Sequence, residues 1–328
     1  MTLAKASQSE LLQLVREIVP PLLPSLHKGQ GCEDYTGAPY FSSHAALLFG
    51  CDLSHVICEH RAATVIKSYT PDLMVHPYLY DTGSLAISSN NNRDELKQMA
   101  LEKSKSVLSR SIHCVVLGPG LGRDELMSET VTELIQFLKH QGTPMILDAD
   151  ALFIITKNPE LIKGYKNCIL TPNVMEFKRL AVALGIELSE STSDVEALKK
   201  ETVQLSKALG GLAVLRKGAV DIMVQGDKVL LNSMEGSNRR VGGQGDTLTG
   251  VLATLTAWSR AYKDNVWKHG QVITNEEDLR LLASFGASSV ARTASRLAFK
   301  ENGRAMQTSD VQKAVGKAYK VIIEEKEL

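Results

Sequence analysis

Along this chain, short apolar runs alternate with longer segments of helical period. "LSHVICE" (53–59), "DLMVHPYL" (72–79), "HCVVLGPG" (113–120), "PMILDAD" (144–150), "NCILTPN" (167–173) and "LAVLRKG" (212–218) each read as a strand entering a loop. Between them lie segments such as "DELMSETVTELIQFLKHQG" (124–142), with apolar residues at helical spacing and a closing glycine. Strands that are apolar throughout suit a sheet covered on both faces, so the pattern predicts parallel strands joined by helical crossovers. "DIMVQG" and "KVLLN" flank Asp227 and predict a hairpin over 221–232. Beyond it only helical periodicity remains, at 246–262, about 276–299 and 309–326. One α/β domain over 1–328 with a helical C-terminal third is expected.

The N-terminal segment, 1–26, also reads as helical. Ser7 and Glu10 form a capping box, Leu11, Leu12, Val15, Ile18 and Val19 repeat at helical spacing, and Pro20 with Pro21 ends the helix. Glu10 and Glu17 argue against a mitochondrial presequence, and no apolar run reaches membrane length. A cytoplasmic protein with no membrane partner is the expectation.

Composition narrows the classes further. At 328 residues and 44% hydrophobic content the chain can bury a large core. Lys plus Arg and Asp plus Glu both total 37, which removes the broad basic field of a nucleic-acid binder. The five cysteines, Cys32, Cys51, Cys58, Cys114 and Cys168, contain no C-x-x-C pair and are expected to be buried thiols rather than disulfides or zinc ligands. His55 and His60 straddle a predicted strand end and read as ordinary polar residues.

In a parallel sheet, ligands collect beyond the carboxyl ends of the strands, where this chain puts its glycines and acids. Gly118, Gly120 and Gly122 in "GPGLG" depart from the dinucleotide spacing and can equally form a tight turn. Asp148 and Asp150 end a strand and could hold a metal, orient a hydroxyl or cap a helix. Asn173 reads as a helix cap, with Glu176, Lys178 and Arg179 on the following helix, and Lys217 with Gly218 ends another strand.

The stretch "RRVGGQGDTLTG" (239–250) is more specific. Gly242, Gly243 and Gly245 let backbone N–H groups converge at a helix start and form an anion site, to which Arg239 and Arg240 could add charge. A bare cap would need only one Ser or Asp. Asp246 brings a carboxylate to this anion site, an unfavourable placement unless it acts as a base. A base beside an anion hole fits phosphoryl transfer to a hydroxyl.

Together with "HKGQ" (27–30), "EDYTGAPYFSSHAALLFGCDLSHVIC" (33–58), "SYTPDLMVHPYL", "DADAL" and "TPNVMEF", these motifs run in family order from about residue 27 to 255. The chain resembles the ATP-dependent NAD(P)H-hydrate dehydratases of eukaryotic type, within the ribokinase-like superfamily. The resemblance implies a three-layer α/β/α sandwich with a mostly parallel sheet. It also implies ATP-driven dehydration of (S)-NADHX and (S)-NADPHX to NADH and NADPH, releasing ADP and phosphate, with Mg2+ accompanying the triphosphate. Functional pairing with an NAD(P)H-hydrate epimerase goes with it, and a homo-oligomer stays open.

Carried over by motif, Asp246 would be the catalytic base and contact the hydrate, and Gly120, Asn173, Val174, Met175, Glu176, Phe177, Lys178 and Arg179 would line the hydrated dinucleotide. Lys217, Gly218, Ala219, Val220 and Asp221, with Gly236, Ser237, Asn238, Arg239, Arg240, Val241, Gly242, Gly243, Gln244 and Gly245, would hold ATP. Tyr35, Thr36 and Pro39 would shape the nicotinamide end, while the metal ligands stay unassigned. A ribokinase-like kinase, for instance of a hydroxymethylpyrimidine, is the alternative enzyme, and a noncatalytic dinucleotide-binding protein the alternative class. One departure stands out: Gln30 leads directly into "GCEDYTGAP", about six to nine residues short of the family pattern, so the first strand is expected to be lost or interrupted.

Overall fold

The computed structural model describes residues 3, 6–19, 29–31, 36–86, 92–189, 193–270 and 272–326. In chain order the elements are α1 (Gln8–Glu17), β1 (Gly29–Gly31), α2 (Gly37–Phe49), β2 (Ser54–Glu59), α3 (Ala62–Tyr69), β3 (Met74–Leu79) and α4 (Arg93–Leu108). There follow β4 (Val115–Leu117), α5 (Glu125–Gln141), β5 (Met145–Leu147), α6 (Ala149–Lys157), β6 (Cys168–Leu170), α7 (Val174–Ala183), α8 (Val195–Ala208) and β7 (Ala213–Arg216). The hairpin β8 (Asp221–Gln225) and β9 (Lys228–Asn232) leads into α9 (Gln244–Lys263), α10 (Glu276–Asn302) and α11 (Thr308–Ile322).

The strands form one sheet in the order β3-β2-β1-β4-β5-β6-β7-β8-β9. Pairing is parallel from β3 through β7 and antiparallel where β8 joins β7 and β9 joins β8. All six apolar runs become strands, and the apolar character of β4, β5 and β6 is explained by cover on both faces. Val116, Ile146 and Ile169 belong to a core shared with α1, α2, α9, α10 and α11, whereas their neighbours Val115, Leu117, Met145, Leu147, Cys168 and Leu170 belong to a core shared with α4 to α8. Three layers result.

The first strand, expected to be lost or interrupted, is present among the described residues as Gly29–Gly31. Gly29–Gly31 pairs with β2, with Gly29 opposite Ser54, and with β4, with Gln30 opposite Val115. The shortened sequence therefore leaves a three-residue strand, not a gap, between β2 and β4. Pro20, Pro21, Cys32 and Tyr35 lie outside the described residues.

Local rules hold at the helix ends. Ser7 and Glu10 make the expected reciprocal box at α1. The four described cysteines, Cys51, Cys58, Cys114 and Cys168, are buried thiols. Among the described residues no helix is long and apolar enough to cross a membrane.

The central contact on the α9 face is the pair α2 and α9, which approach closely at Gly250. A Cβ there would lie 2.0 Å from the Ser42 carbonyl oxygen, a backbone atom that cannot step aside. Ser42 and Thr249 share a hydrogen bond of 3.0 Å beside this contact. Gly250→Ala should destabilise the fold by about 1–3 kcal/mol or more through overpacking. Gly316 on α11 has no atoms within 4 Å of such a Cβ, so Gly316→Ala should be neutral or slightly stabilising. Paired urea titrations of the two variants check this.

Candidate active site

The site is assembled at the carboxyl ends of β4 to β7 and at the N-terminus of α9. Gly243 occupies the N-cap of α9 with φ +94°, and no side chain caps the helix. The first-turn N–H groups of any α-helix have no intrahelical acceptor, so this end offers donors to an anion. A left-handed cap without a side chain is what the run of glycines provides.

The turn is braced from behind by the C-terminal helices. Thr308 Oγ1 donates to the Gly242 carbonyl, and Thr247 Oγ1 donates to the Gly243 carbonyl at 3.0 Å. Gln312, buried on α11, donates to Thr247 Oγ1 at 2.7 Å and to the Phe41 carbonyl at 3.1 Å. Gln244 reaches Ser295 on α10 at 2.9 Å. With these carbonyls engaged, the turn at the helix start is held in place.

The charge cluster lies against the same helix end. Lys217 Nζ donates to Asp148 Oδ1 at 2.7 Å, with Asp148 only 2% exposed. A Cβ on Gly245 would lie 3.3 Å from Lys217 Nζ and 3.7 Å from Asp148 Oδ2, so the pair abuts the glycine turn. Asp148 stands at the N-cap of α6 but makes no capping bond, which leaves its carboxylate to Lys217. Burial disfavours the Lys217 charge, yet Asp148, Glu176 and Asp246 together hold its pKa above the ordinary value. Burial pushes Asp246 up to about 7, Asp148 and Glu176 add to the rise, and Lys217 opposes it. Glu176 is also raised, chiefly by burial, with Asp148 adding and Lys217 opposing.

The other sequence-derived positions divide into three groups. Gly118, Gly120 and Gly122 have φ of +118°, +66° and +75°, and a Cβ on Gly118 would lie 1.8 Å from the Asp148 carbonyl. "GPGLG" is thus the turn that passes over Asp148, and Asp150 steadies it by accepting from the Gly122 N–H at 3.0 Å. Asn173 and Glu176 form a reciprocal capping box at α7, leaving Val174 and Met175 43% and 56% exposed and Lys178 and Arg179 on the surface. Phe177 departs from its expected role: it is fully buried beneath the Arg216 guanidinium, 3.8 Å from the ring centroid, and belongs to the core. Arg239 and Arg240 are exposed, and Arg239 Nε is engaged by the Met306 carbonyl at 3.0 Å.

Contacts of α2 with α9 run in the same direction along both helices: Phe41 beside Gly243, Ser42 beside Gly250, Ala46 beside Thr254. Thr36 and Pro39, at the start of α2, therefore lie at the Asp246 end, with Thr36 Oγ1 bonded to Tyr69 at 2.8 Å. His55 and His60 lie elsewhere, His55 2.9 Å from His76 and His60 2.7 Å from Glu59.

The residue that pattern reading missed is Arg292 on α10. Its Nε donates to Asp221 Oδ2 at 2.9 Å, Nη1 to the Met234 carbonyl at 2.9 Å and Nη2 to the Gly218 carbonyl at 2.8 Å. Asp221 also accepts from Ser288 at 2.6 Å and from the Gly218 N–H at 2.8 Å. Asp221 is thus buried as a tie between loops, and one guanidinium joins the loop after β7 to the loop after β9. No local motif marks an arginine in the middle of a long helix.

A family model described as NAD(P)H-hydrate dehydratase matches residues 30–317. The chain belongs to that family. An ATP-dependent (S)-NAD(P)H-hydrate dehydratase of Phaeosphaeria nodorum is 46% identical over 333 residues, covering 99% of this chain and 98% of the relative. The fold is that of the ribokinase-like dehydratases. A Bacillus subtilis ADP/ATP-dependent NAD(P)H-hydrate dehydratase, co-crystallised with ATP/Mg2+, superposes with a TM-score of 0.61 at 17% identity, covering 95% of this chain and 97% of the other. A ribokinase-like superfamily protein of Enterococcus faecalis gives 0.62 at 18% identity, covering 95% and 94%.

In this family member the turn at Gly243 should tolerate no side chain. A Cβ there would lie 2.6 Å from Thr308 Cγ2 and 2.8 Å from Phe41 Cδ2, in a left-handed backbone. Gly243→Ala should weaken nucleotide binding by about ten-fold or more, as expected if several N–H bonds to an anion are misaligned. Calorimetric titration with ATP measures it.

Asp246 also predicts a pH effect. As a base it must be ionised, so kcat/KM should rise as pH increases through about 7. Removing the Asp148 charge removes a cause of the upward shift and frees Lys217 to act on Asp246, so Asp148→Asn should move the midpoint to lower pH. For stability the sign is opposite to the usual carboxylate: a folded pKa above the unfolded one means stability falls as pH rises from about 4 to 7. Asp246→Asn should therefore be more stable than the parent at pH above this window, checked by denaturation at several pH values.

Proposed function

We propose that the chain restores hydrated nicotinamide nucleotides, using ATP to dehydrate (S)-NADHX and (S)-NADPHX. The observation that carries the reading is Asp246, held near neutrality in the first turn of a helix whose N-terminus has no side-chain cap. Asp246 accepts the proton of the ring hydroxyl as its oxygen attacks the γ-phosphorus of ATP. The bond from γ-phosphorus to the bridging oxygen breaks, and ADP leaves with that electron pair. N–H groups at Gly243 to Gly245 stabilise charge on the group in flight. Phosphate is a far better leaving group than hydroxide. It departs with the carbon–oxygen electron pair, a proton leaves the neighbouring ring carbon, and the dihydropyridine double bond returns.

Three acids surround one lysine here, since Asp148, Glu176 and Asp246 all act on Lys217. That surplus of negative charge beside a triphosphate suits a magnesium ion. No cluster of three or more acidic, histidine or cysteine groups that could hold a metal ion occurs among the described residues. Magnesium with a triphosphate is generally held by phosphate oxygens and one or two carboxylates. Asp148 and Glu176 would be those carboxylates, and the ion would neutralise charge on the phosphates. Lys217 would then turn from Asp148 toward the phosphate chain. Exposed Val174 and Met175, next to Asn173, offer apolar surface to the dinucleotide, while Arg292 keeps the two nucleotide loops in register.

Incubation with ATP and hydrated NADH should yield nicotinamide absorbance, ADP and phosphate in equal amounts. Accumulation of a stable phosphate ester of a small alcohol, with no action on the hydrate, would assign a kinase instead. Asp246→Asn should lower kcat by about 10²–10⁴, the usual worth of general-base help, while ATP affinity measured on the same preparation persists. Near-normal kcat would remove Asp246 as the base.

A further inference from the structure

At the opposite end of the sheet, α9 and α10 enclose a cavity of about 190 Å³ lined by Thr256, Ser259 and Arg260 of α9, Leu279 and Arg280 of α10, and Asn167, which precedes β6. Thr256 comes ten residues after Asp246 on the same helix, about 15 Å along its axis, so this is not part of the nucleotide site. A single water needs only about 10–15 Å³, so there is room for a small molecule.

The lining is polar and incompletely paired. Thr256 is 7% exposed, and its Oγ1 is buried with no hydrogen-bond partner among the described residues. Arg280, with its side chain 11% exposed, donates Nε to Gln225 at 3.2 Å and Nη1 to Asn167 at 3.2 Å, both neutral groups. Its carboxylate neighbour Glu276, at 3.4 Å, is exposed and also bridges Lys263. Asp264 lies 3.9 Å from Arg260 on the rim. This largely buried guanidinium thus shares its ion-paired carboxylate, Glu276, with Lys263, whereas buried charges ordinarily carry a full partner. Consistently, burial lowers the Arg280 pKa despite Glu276 and Glu277.

We infer that this cavity binds a small oxyanion, with Arg280 supplying the charge-assisted hydrogen bond and Thr256 the hydroxyl donor. At the mouth Lys263 is paired with Glu276 and Arg260 with Asp264, so the three cations of the lining, Arg260, Lys263 and Arg280, exceed its two acids by one positive charge. The anion completes the pairing of Arg280 and satisfies the orphaned hydroxyl.

The test is a titration of the full chain with inorganic phosphate, followed by methyl resonances of Ile169 and Leu279, which line the cavity. Both should shift along a saturable curve. Thr256→Val should weaken binding about ten-fold or more, because a hydrogen bond to a charged group is lost while the shape is kept. Thr256→Ser keeps the hydroxyl and should bind nearly as the parent does, and Arg280→Gln should abolish saturation. Phosphate also meets the glycine turn, so the Leu248 methyls serve as a separate reporter and should still respond in all three variants. Absence of a saturable shift at Ile169 and Leu279 in the parent, or Thr256→Val and Arg280→Gln binding as the parent does, overturns the assignment.

Discussion

The Lys217–Asp148 ion pair, 2.7 Å long and set against the start of α9, is the contact on which the chemistry of this site depends. Three carboxylates interact with that one ammonium, and the protein gives each a different condition. Asp148 is tied to Lys217, and Glu176 is turned back to cap its own helix. Among the described residues the Asp246 carboxylate has no hydrogen-bond partner to fix it in the charged state, so burial and its acidic neighbours push its pKa up to about 7. A buried pair of this kind is weak evidence for stability, since its desolvation cost can match its attraction. Its value here lies in the field it sets at Asp246.

Around that pair the fold is arranged to keep a helix end open. An uncapped N-terminus is normally unfavourable, and most helices in this chain avoid it with Ser, Asn or Asp caps. α9 does without one because its preceding turn is held through carbonyls, by Thr308 and Thr247, and through the Gln312 amide behind them. Close contact at Gly250 locks α9 to α2, and Arg292 locks the loops that flank it. Donors mounted on packed helices keep their direction when a charged group arrives, which is the condition for electrostatic preorganisation.

Much of this was legible in the residues themselves. Fully apolar runs announced strands covered on both sides, reciprocal pairs such as Asn173 with Glu176 announced helix starts, and the glycine run before Asp246 announced a helix start without a side-chain cap. Each of these signals is local: it reports the backbone conformation or burial of a few consecutive residues. The family resemblance rested on the same short segments, and the family model over 30–317 agrees with it. At the first strand, expected to be lost or interrupted, Gly29–Gly31 finds β2 and β4 as hydrogen-bonding neighbours, a pairing that local pattern does not report.

The remainder required the folded chain. Nothing near Asp148 in sequence indicates that its partner lies 69 positions away, nor that Asp221 is held by Ser288 and Arg292 from a helix much later in the chain. Phe177 shares its motif with exposed neighbours, and only the packing of Arg216 over its ring places it in the core. The sequence by itself determined which residues could bend, cap or ionise, since those properties belong to individual side chains and short backbone segments. The tertiary structure decided which of them meet and at what charge, because burial and Coulomb interaction depend on distances that parallel crossovers, not sequence neighbours, set.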